Sequence, residues 1–377
     1  MKKIVILPGV RFHSEYYLNY YINNFPKSKI YIFTSTPKYK FAKRDFIYVF
    51  VPFFFKIFFK IFRLTEPQLF KRLDQKIFMN ISNLILFFIK PDLIHSWGGI
   101  SQKIFFYHKK SLKIVERSST FLPIQLKNIK RELSKYKIDR RINYDYEINE
   151  FYKEVNYCNF VFVPSKYVYK NYPKNLRHKL AIIYPFSSKL YNHIYKKNNK
   201  IKKIIGYVGS NIYVKGLLYL IDSFNKSPIN NDYIIWLKID RKDLNSLGAD
   251  FKSSILNNDK IIICGSKMNM EYFYSSINVL IQPSIDDGFN MVTIESLSAG
   301  IPTFANSKMG SCEFLLRILP NNIFDLKSKK NSLNIILNSI NSKDLHNQSI
   351  IIKKQFKKVY EEFSTTNFKV LDSLFKK

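Results

Sequence analysis

Cysteine, glycine and proline are all scarce: 3 Cys, 11 Gly and 14 Pro occur in 377 residues. Cys158, Cys264 and Cys312 are odd in number and far apart. That excludes a disulfide framework and a cysteine-based zinc site, and a reducing cytosol is expected. So little glycine and proline leaves little room for disordered tracts. Acidic residues are few as well, 28 against 61 Lys and Arg, for a formal charge of +33. No uninterrupted apolar run reaches the roughly 20 residues of a membrane-spanning helix. In the most apolar segment Lys56 and Lys60 interrupt it. Met1-Lys2-Lys3 before Ile4-Val5-Ile6-Leu7 has the charge of a secretion signal, yet the apolar run breaks at Pro8-Gly9. It therefore reads as a first buried strand.

What is abundant is apolar: 46% of the chain is hydrophobic, with 34 Phe and 26 Tyr. At about 150 residues per core this suffices for two domains. The positive surplus favours an anionic partner, whether nucleic acid, a membrane surface or a phosphorylated small molecule. The bias toward Lys, Asn, Ile, Phe and Tyr also fits the coding drift of an AT-rich genome.

Short apolar runs ending in turn residues alternate with helical patterns, the mark of βαβ units around parallel sheets. One series of strands is expected at Lys3–Leu7, Ile30–Phe33, Phe46–Val51, Leu93–Ser96, Lys113–Glu116 and Phe160–Pro164. The second is expected at Ile204–Val208, Tyr233–Lys238, Lys260–Cys264, Val279–Pro283 and Pro302–Ala305. The polar stretch from Ser187 to Lys203 is the expected linker. This divides the chain into Rossmann-like domains at 1–190 and 191–350, with 351–377 a C-terminal helix packing back on the first domain. The last segment, from Ser349, carries a possible break at Ser364-Thr365-Thr366.

The most informative stretch runs from Leu280 to Pro302. A buried strand ends at Pro283, a loop with Asp286-Asp287-Gly288-Phe289 follows, and a helix starts near Asn290 and stops at Gly300. Free N–H groups and the positive dipole end over the Gly288–Met291 turn suit a phosphate or a sugar hydroxyl. Asp287 would flank that ligand, and Glu295 would accept the hydrogen bonds of a ribose diol, as an acidic residue does in dinucleotide sites. An earlier loop, Gly206-Tyr207-Val208-Gly209-Ser210 to Lys215-Gly216, follows the first strand of the second series. Its glycines let backbone approach a ligand, and Lys215 is a point charge suited to a diphosphate.

These two loops resemble glycosyltransferase family 4, retaining enzymes of the GT-B fold whose hallmark is two acidic residues separated by seven, here Asp287 and Glu295. The resemblance spans about Ile204 to Leu315 most strongly. It implies two Rossmann-like α/β domains facing each other across a cleft, a nucleotide-diphosphate sugar as co-substrate, and no cofactor or metal. It implies a donor site of Gly209, Ser210, Lys215, Asp287, Gly288, Phe289, Asn290, Met291 and Glu295. Asp287 would hold the sugar, Glu295 the ribose and Lys215 the departing diphosphate. Three positions depart from the family pattern: Asp287 stands for Glu, Asn290 for a common Gly, and Ser210 for a phosphate-binding Arg.

The first half is less specific. Gly9 and the strand ends carrying His95, Arg117 and Ser118 resemble acceptor-side segments of the family. His95 is either a positioning or proton-handling group or a structural histidine, and Arg117 either an acceptor contact or a structural ion-pair residue. His13 is left unassigned. Within Phe53 to Leu64, Lys56, Lys60 and Arg63 fall on one helical face with phenylalanines over the rest. Such a helix either docks at an anionic membrane surface or lies in the core with its cations reaching solvent. The whole reads as a hexosyltransferase on the inner face of the cytoplasmic membrane, with a glycan or lipid-linked acceptor and a role in cell-envelope polysaccharide synthesis. An epimerase or phosphorylase on the same fold and a degenerate homologue remain alternatives. Nucleic acid is not an expected partner, since charge alone supports it.

Overall fold

A computed structural model describes residues 2–7, 14–35, 46–62, 68–135, 145–186, 190–191, 203–245, 247–328 and 332–375. The strands of a first sheet are β1 (Lys3–Leu7), β2 (Lys29–Thr34), β3 (Phe46–Phe50), β4 (Leu93–Trp97), β5 (Leu112–Glu116), β6 (Phe160–Val163) and β7 (Leu180–Ile182). Their order is β3-β2-β1-β4-β5-β6-β7. A second sheet holds β8 (Lys203–Val208), β9 (Tyr233–Lys238), β10 (Ile261–Ile263), β11 (Val279–Gln282), β12 (Thr303–Asn306) and β13 (Ile323–Phe324), ordered β10-β9-β8-β11-β12-β13. Pairing is parallel from β3 through β6 and across the second sheet, with Val5 opposite Tyr31 and Ile94 in the first sheet and Ile205 opposite Ile235 and Val279 in the second. Parallel strands are covered on both faces, which is why they read as unbroken apolar runs such as Val-Leu-Ile in β11.

The connecting helices in the first part are α1 (Ser14–Asn24), α2 (Phe54–Ile61), α3 (Gln68–Ile89), α4 (Gln102–Tyr107), α5 (Leu122–Lys135), α6 (Asp145–Tyr157) and α7 (Lys166–Asn171). Those that follow are α8 (Leu217–Lys226), α9 (Arg241–Leu244), α10 (Ala249–Leu256), α11 (Met270–Ser276), α12 (Met291–Ser298), α13 (Cys312–Ile318), α14 (Leu333–Ser339) and α15 (Leu345–Phe375).

The chain divides into two compact units that are discontinuous in sequence. Unit 1 comprises Met1–Ser118, Ile142–Val163 and Pro173–Ala181, and unit 2 comprises Ser119–Arg141, Pro164–Tyr172 and Ile182–Lys377. Helix α5 thus belongs to the second unit, where Leu133 enters a core with Leu217, Ile221 and Leu237. Helix α15, expected to return to the first domain, is grouped with unit 2 and packs on α12 and α13. Its expected break is not there. Thr365 and Thr366 donate their hydroxyls to the carbonyls of Glu361 and Glu362, both at 2.9 Å, which keeps polar side chains within the helix. Buried Asn367 locks α15 in place by exchanging hydrogen bonds of 2.8 and 2.7 Å with the backbone of Tyr184.

Candidate active site

In the second sheet β8 and β11 are neighbours, while the chain proceeds from β8 to β9 on one side and from β11 to β12 on the other. Strand order reverses there, and in open parallel sheets the crevice beyond the carboxyl ends at such a point is where ligands bind. The two sequence motifs occupy it: residues 209–216 leave β8 and residues 283–290 leave β11. The Ile285 amide donates to the Val214 carbonyl at 2.9 Å, tying the loops together. Gly216 has φ +71°, and a Cβ there would lie 2.0 Å from the Pro283 carbonyl oxygen, so only glycine fits. Gly209 makes room for the stem of Lys215, whose Cβ and Cγ would be 3.2 Å from an added Cβ.

This docking brings Lys215 and Asp287 into direct ion-pair contact. The Asp287 carboxylate is also held by its own turn: Oδ1 accepts from the amides of Phe289 at 3.3 Å and Asn290 at 3.1 Å, and Oδ2 from Asn290 Nδ2 at 2.9 Å. The expectation of free amides over this turn is corrected accordingly, because Asp287 itself takes the N–H groups of residues 289 and 290. Asn290 adopts φ 50°, the left-handed region that explains a glycine in the family pattern and that Asn tolerates better than other side chains. Its Oδ1 then accepts from the Thr293 amide at 3.1 Å and caps α12. The substitution thus keeps the conformation and adds a cap.

The remaining donor-side residues are placed differently. Phe289 points into the core against Phe314 and Tyr184, at centroid distances of 5.8 and 6.3 Å. Gly288 is buried, and its carbonyl accepts from Ser165 Oγ at 2.9 Å. Ser210 is exposed and Met291 half-buried. Glu295 sits half-buried on α12 and accepts from the Tyr274 hydroxyl at 3.2 Å. Burial, reinforced by Glu295, pushes Tyr274 far up and Tyr191 up to about 12. Lys238, at the end of β9, is a cation the sequence reading passed over; its ammonium donates to the Ser266 carbonyl at 2.6 Å, and burial lowers its pKa.

Two further residues carry the loop without having been singled out. Gln282, fully buried at the end of β11, donates to the Val208 carbonyl and accepts from Asn290, both at 3.3 Å, so it spans the two strand ends. A lone amide in an apolar strand was its only signal. Asp286 is 2% exposed, and its carboxylate accepts from Thr120 Oγ1 and Asn128 Nδ2 at 3.0 Å and from the Tyr167 hydroxyl at 3.3 Å. The adjacent acids therefore divide their work, Asp287 toward Lys215 and Asp286 toward α5 and α7. Burial with neutral donors raises the Asp286 pKa above its ordinary 3.8, outweighing those hydrogen bonds. A raised carboxyl pKa makes the folded state hold its proton longer than the unfolded chain. Stability from this group is complete below 3.8 and falls as pH rises through the folded value. Asp286→Asn is expected to flatten the decline of the urea midpoint above about pH 4. Superimposable pH profiles for the two proteins would overturn this.

In unit 1 the site residues divide differently. His95 is fully buried in an aromatic box, stacked on Trp97 at 4.9 Å, edge-on to Tyr17 at 4.5 Å, with Nδ1 paired to the Tyr21 hydroxyl at 2.9 Å. Burial lowers its pKa to about 3, which keeps the ring neutral, and this packing is that of the structural alternative. Arg117 pairs with Glu154, which is fully buried and accepts from the amides of Gly99 and Ser101 at 3.1 Å. Its guanidinium lies under Gly98, where an added Cβ would come within 2.4 Å, so Arg117 is the structural ion-pair alternative. Ser118 is half-buried, and Gly9 lies outside the described residues.

Helix α2 faces outward. Phe54, Ile57, Phe58 and Ile61 form an i, i+3, i+4, i+7 stripe, with Phe62 just beyond; Phe58 is 51% and Ile61 69% exposed. Phe55 and Phe59 turn inward onto Phe70, at 4.9 and 5.3 Å. Asp74 caps the helix through the amides of Phe55 and Lys56 at 3.0 and 2.7 Å. Lys56 is exposed, whereas Arg63 and the side chain of Lys60 lie outside the described residues. Among the described residues no helix is long and apolar enough to cross a membrane, and no group of three or more His, Cys, Asp or Glu could hold a metal ion.

Solved structures share this fold. Sucrose-phosphate synthase from Thermosynechococcus elongatus is 14% identical with a TM-score of 0.68 over 100% of both chains. An alpha,alpha-trehalose-phosphate synthase (UDP-forming) from Burkholderia vietnamiensis is 10% identical with a TM-score of 0.64 over 100% of this chain and 96% of its own. Anabaena HepE, in complex with UDP and glucose, is 12% identical with a TM-score of 0.61 over 100% of both. At such identities the likeness shows the fold, two Rossmann-like parallel α/β sheets of the GT-B class. Comparison with curated protein sequences gives no match. Residues 192–348 match the family of glycosyl transferases group 1, a segment containing both loops of the crevice. Residues 192–348 of the chain are therefore similar to the glycosyl transferases group 1 family, on a fold of the GT-B class.

Proposed function

We propose that the chain transfers a hexose from a nucleotide-diphosphate sugar to a hydroxyl of a glycan or lipid-linked acceptor, with retention of anomeric configuration and without a metal. The observation that carries this reading is the Lys215–Asp287 pair, fixed where strand order reverses in the segment similar to group 1 glycosyl transferases. Asp287 orients the ammonium, which has three N–H donors and spends one on the carboxylate. The others stabilise negative charge as the diphosphate departs. Asp287 accepts from a sugar hydroxyl, and Glu295, already beside one hydroxyl donor in Tyr274, accepts from the ribose. UDP is the leading nucleotide, because HepE is complexed with it and the trehalose-phosphate synthase forms it.

Thermal shift with UDP, GDP and ADP tests the donor assignment. A nucleotide at 100 times its Kd adds about 2.7 kcal/mol to stability. Glu295→Ala is expected to weaken that nucleotide by roughly 1.5–3 kcal/mol. Three nucleotides without a shift, or equal affinity in the variant, would sink it.

The acceptor reading rests on α2. An exposed apolar stripe on a helix next to Lys56 suits an anionic bilayer, with rings in the acyl boundary and cations at the headgroups. We place the enzyme on the cytoplasmic membrane face, in cell-envelope polysaccharide synthesis. Phe58→Asp with Ile61→Asp is expected to abolish co-sedimentation with phosphatidylglycerol vesicles while circular dichroism stays unchanged. Undiminished pelleting of the folded variant would remove α2 from the contact.

A further inference from the structure

We propose that the groove between α3, α4 and α6 in unit 1 is a binding site for an acidic saccharide. Helix α4 has only 6 residues, whereas α3 has 22 and α6 has 13, so the short helix leaves the space between its neighbours uncovered. The resulting cavity measures about 540 Å³, within the range of ordinary ligand sites.

The lining has three chemical parts. Phe106 and Tyr157 form an aromatic wall, their centroids 5.3 Å apart. Lys76, Lys103 and Lys153 contribute three ammonium groups against one lining carboxylate, Glu150. Gln102 is 5% exposed and donates its amide N–H to Glu150, which fixes the amide orientation. Its Oε1 is then a buried acceptor with no partner. Buried polar atoms are nearly always satisfied, so an orphan acceptor in a cavity wall calls for a ligand that brings a donor.

A sugar ring answers all three parts. Its C–H face packs on the aromatic wall, a hydroxyl donates to Gln102, and a carboxylate meets the lysines. A bilayer fits less well, since membranes take protruding apolar groups rather than a concave wall, and an acyl chain offers Gln102 nothing. The groove lies wholly in unit 1, and the inference stands apart from the donor assignment.

Isothermal titration of the full chain with a galacturonic acid tetrasaccharide tests it, against maltotetraose and inorganic phosphate as probes. The acidic tetramer is expected to bind at least tenfold more tightly than the neutral one. Lys76→Ala, Lys103→Ala and Lys153→Ala together are expected to weaken it at least tenfold, and Tyr157→Ser, at a side chain 38% exposed, to weaken it too. Both variants should retain the nucleotide-induced thermal shift, which separates failure here from failure of the donor site. Absence of binding, equal binding by the variants, or displacement by equimolar phosphate would overturn the proposal. So would loss of vesicle binding in the lysine variant without any saccharide binding.

Discussion

Lys215→Met is expected to lower kcat about 10²- to 10³-fold at saturating donor while leaving the melting temperature nearly unchanged. The rate effect follows from removing a donor aimed at charge that develops in the transition state. The small stability effect follows from the geometry. Asp287 keeps its hydrogen bonds from the Phe289 and Asn290 amides and from Asn290 Nδ2, so its carboxylate is not abandoned. Methionine keeps the unbranched stem that passes Gly209. Lys215→Arg should recover part of the loss, because it restores a cation of different shape. A kcat within threefold of wild type for the methionine variant would remove Lys215 from the chemistry.

Gly216→Val is expected to destabilise the protein by about 2–5 kcal/mol, summing the cost of a left-handed conformation with that of overpacking. The obstructing atom is the Pro283 carbonyl oxygen, 2.0 Å from the position of a new Cβ, and backbone cannot step aside as a side chain would. Gly209→Ala meets only the flexible stem of Lys215 and the Tyr207 hydroxyl at 3.2 Å and should cost much less. Urea midpoints of the two variants give the comparison. A loss below about 1 kcal/mol for Gly216→Val would mean that the loops separate freely.

The expected strands were legible because each is a buried run of apolar residues, and all recur within a residue or two of their expected bounds. Strands β7 and β13, with 3 and 2 residues, escaped notice, since so short a run has no periodicity to read. The motifs placed Lys215 and Asp287 in one site, but the ion pair between them was not legible, since only the docking of the two loops creates it. The partners of Asp286 were not legible either, because Thr120, Asn128 and Tyr167 are brought to it by tertiary structure alone. His95 read ambiguously for a related reason. A histidine at a strand end faces either a ligand or its neighbours, and only the positions of Tyr17, Tyr21 and Trp97 decide.

The membership of α5 in unit 2 has a temporal consequence. Thr120 and Asp286 are 166 positions apart. A ribosome adding 5–20 residues per second leaves roughly 8 to 33 s between the appearance of one and the other. Throughout that interval α5 lacks the carboxylate that anchors it, and for the first part of it Leu133 also lacks its core partners Leu217, Ile221 and Leu237. The nascent chain therefore carries an amphipathic helix in search of its partner, a natural client for a holding chaperone.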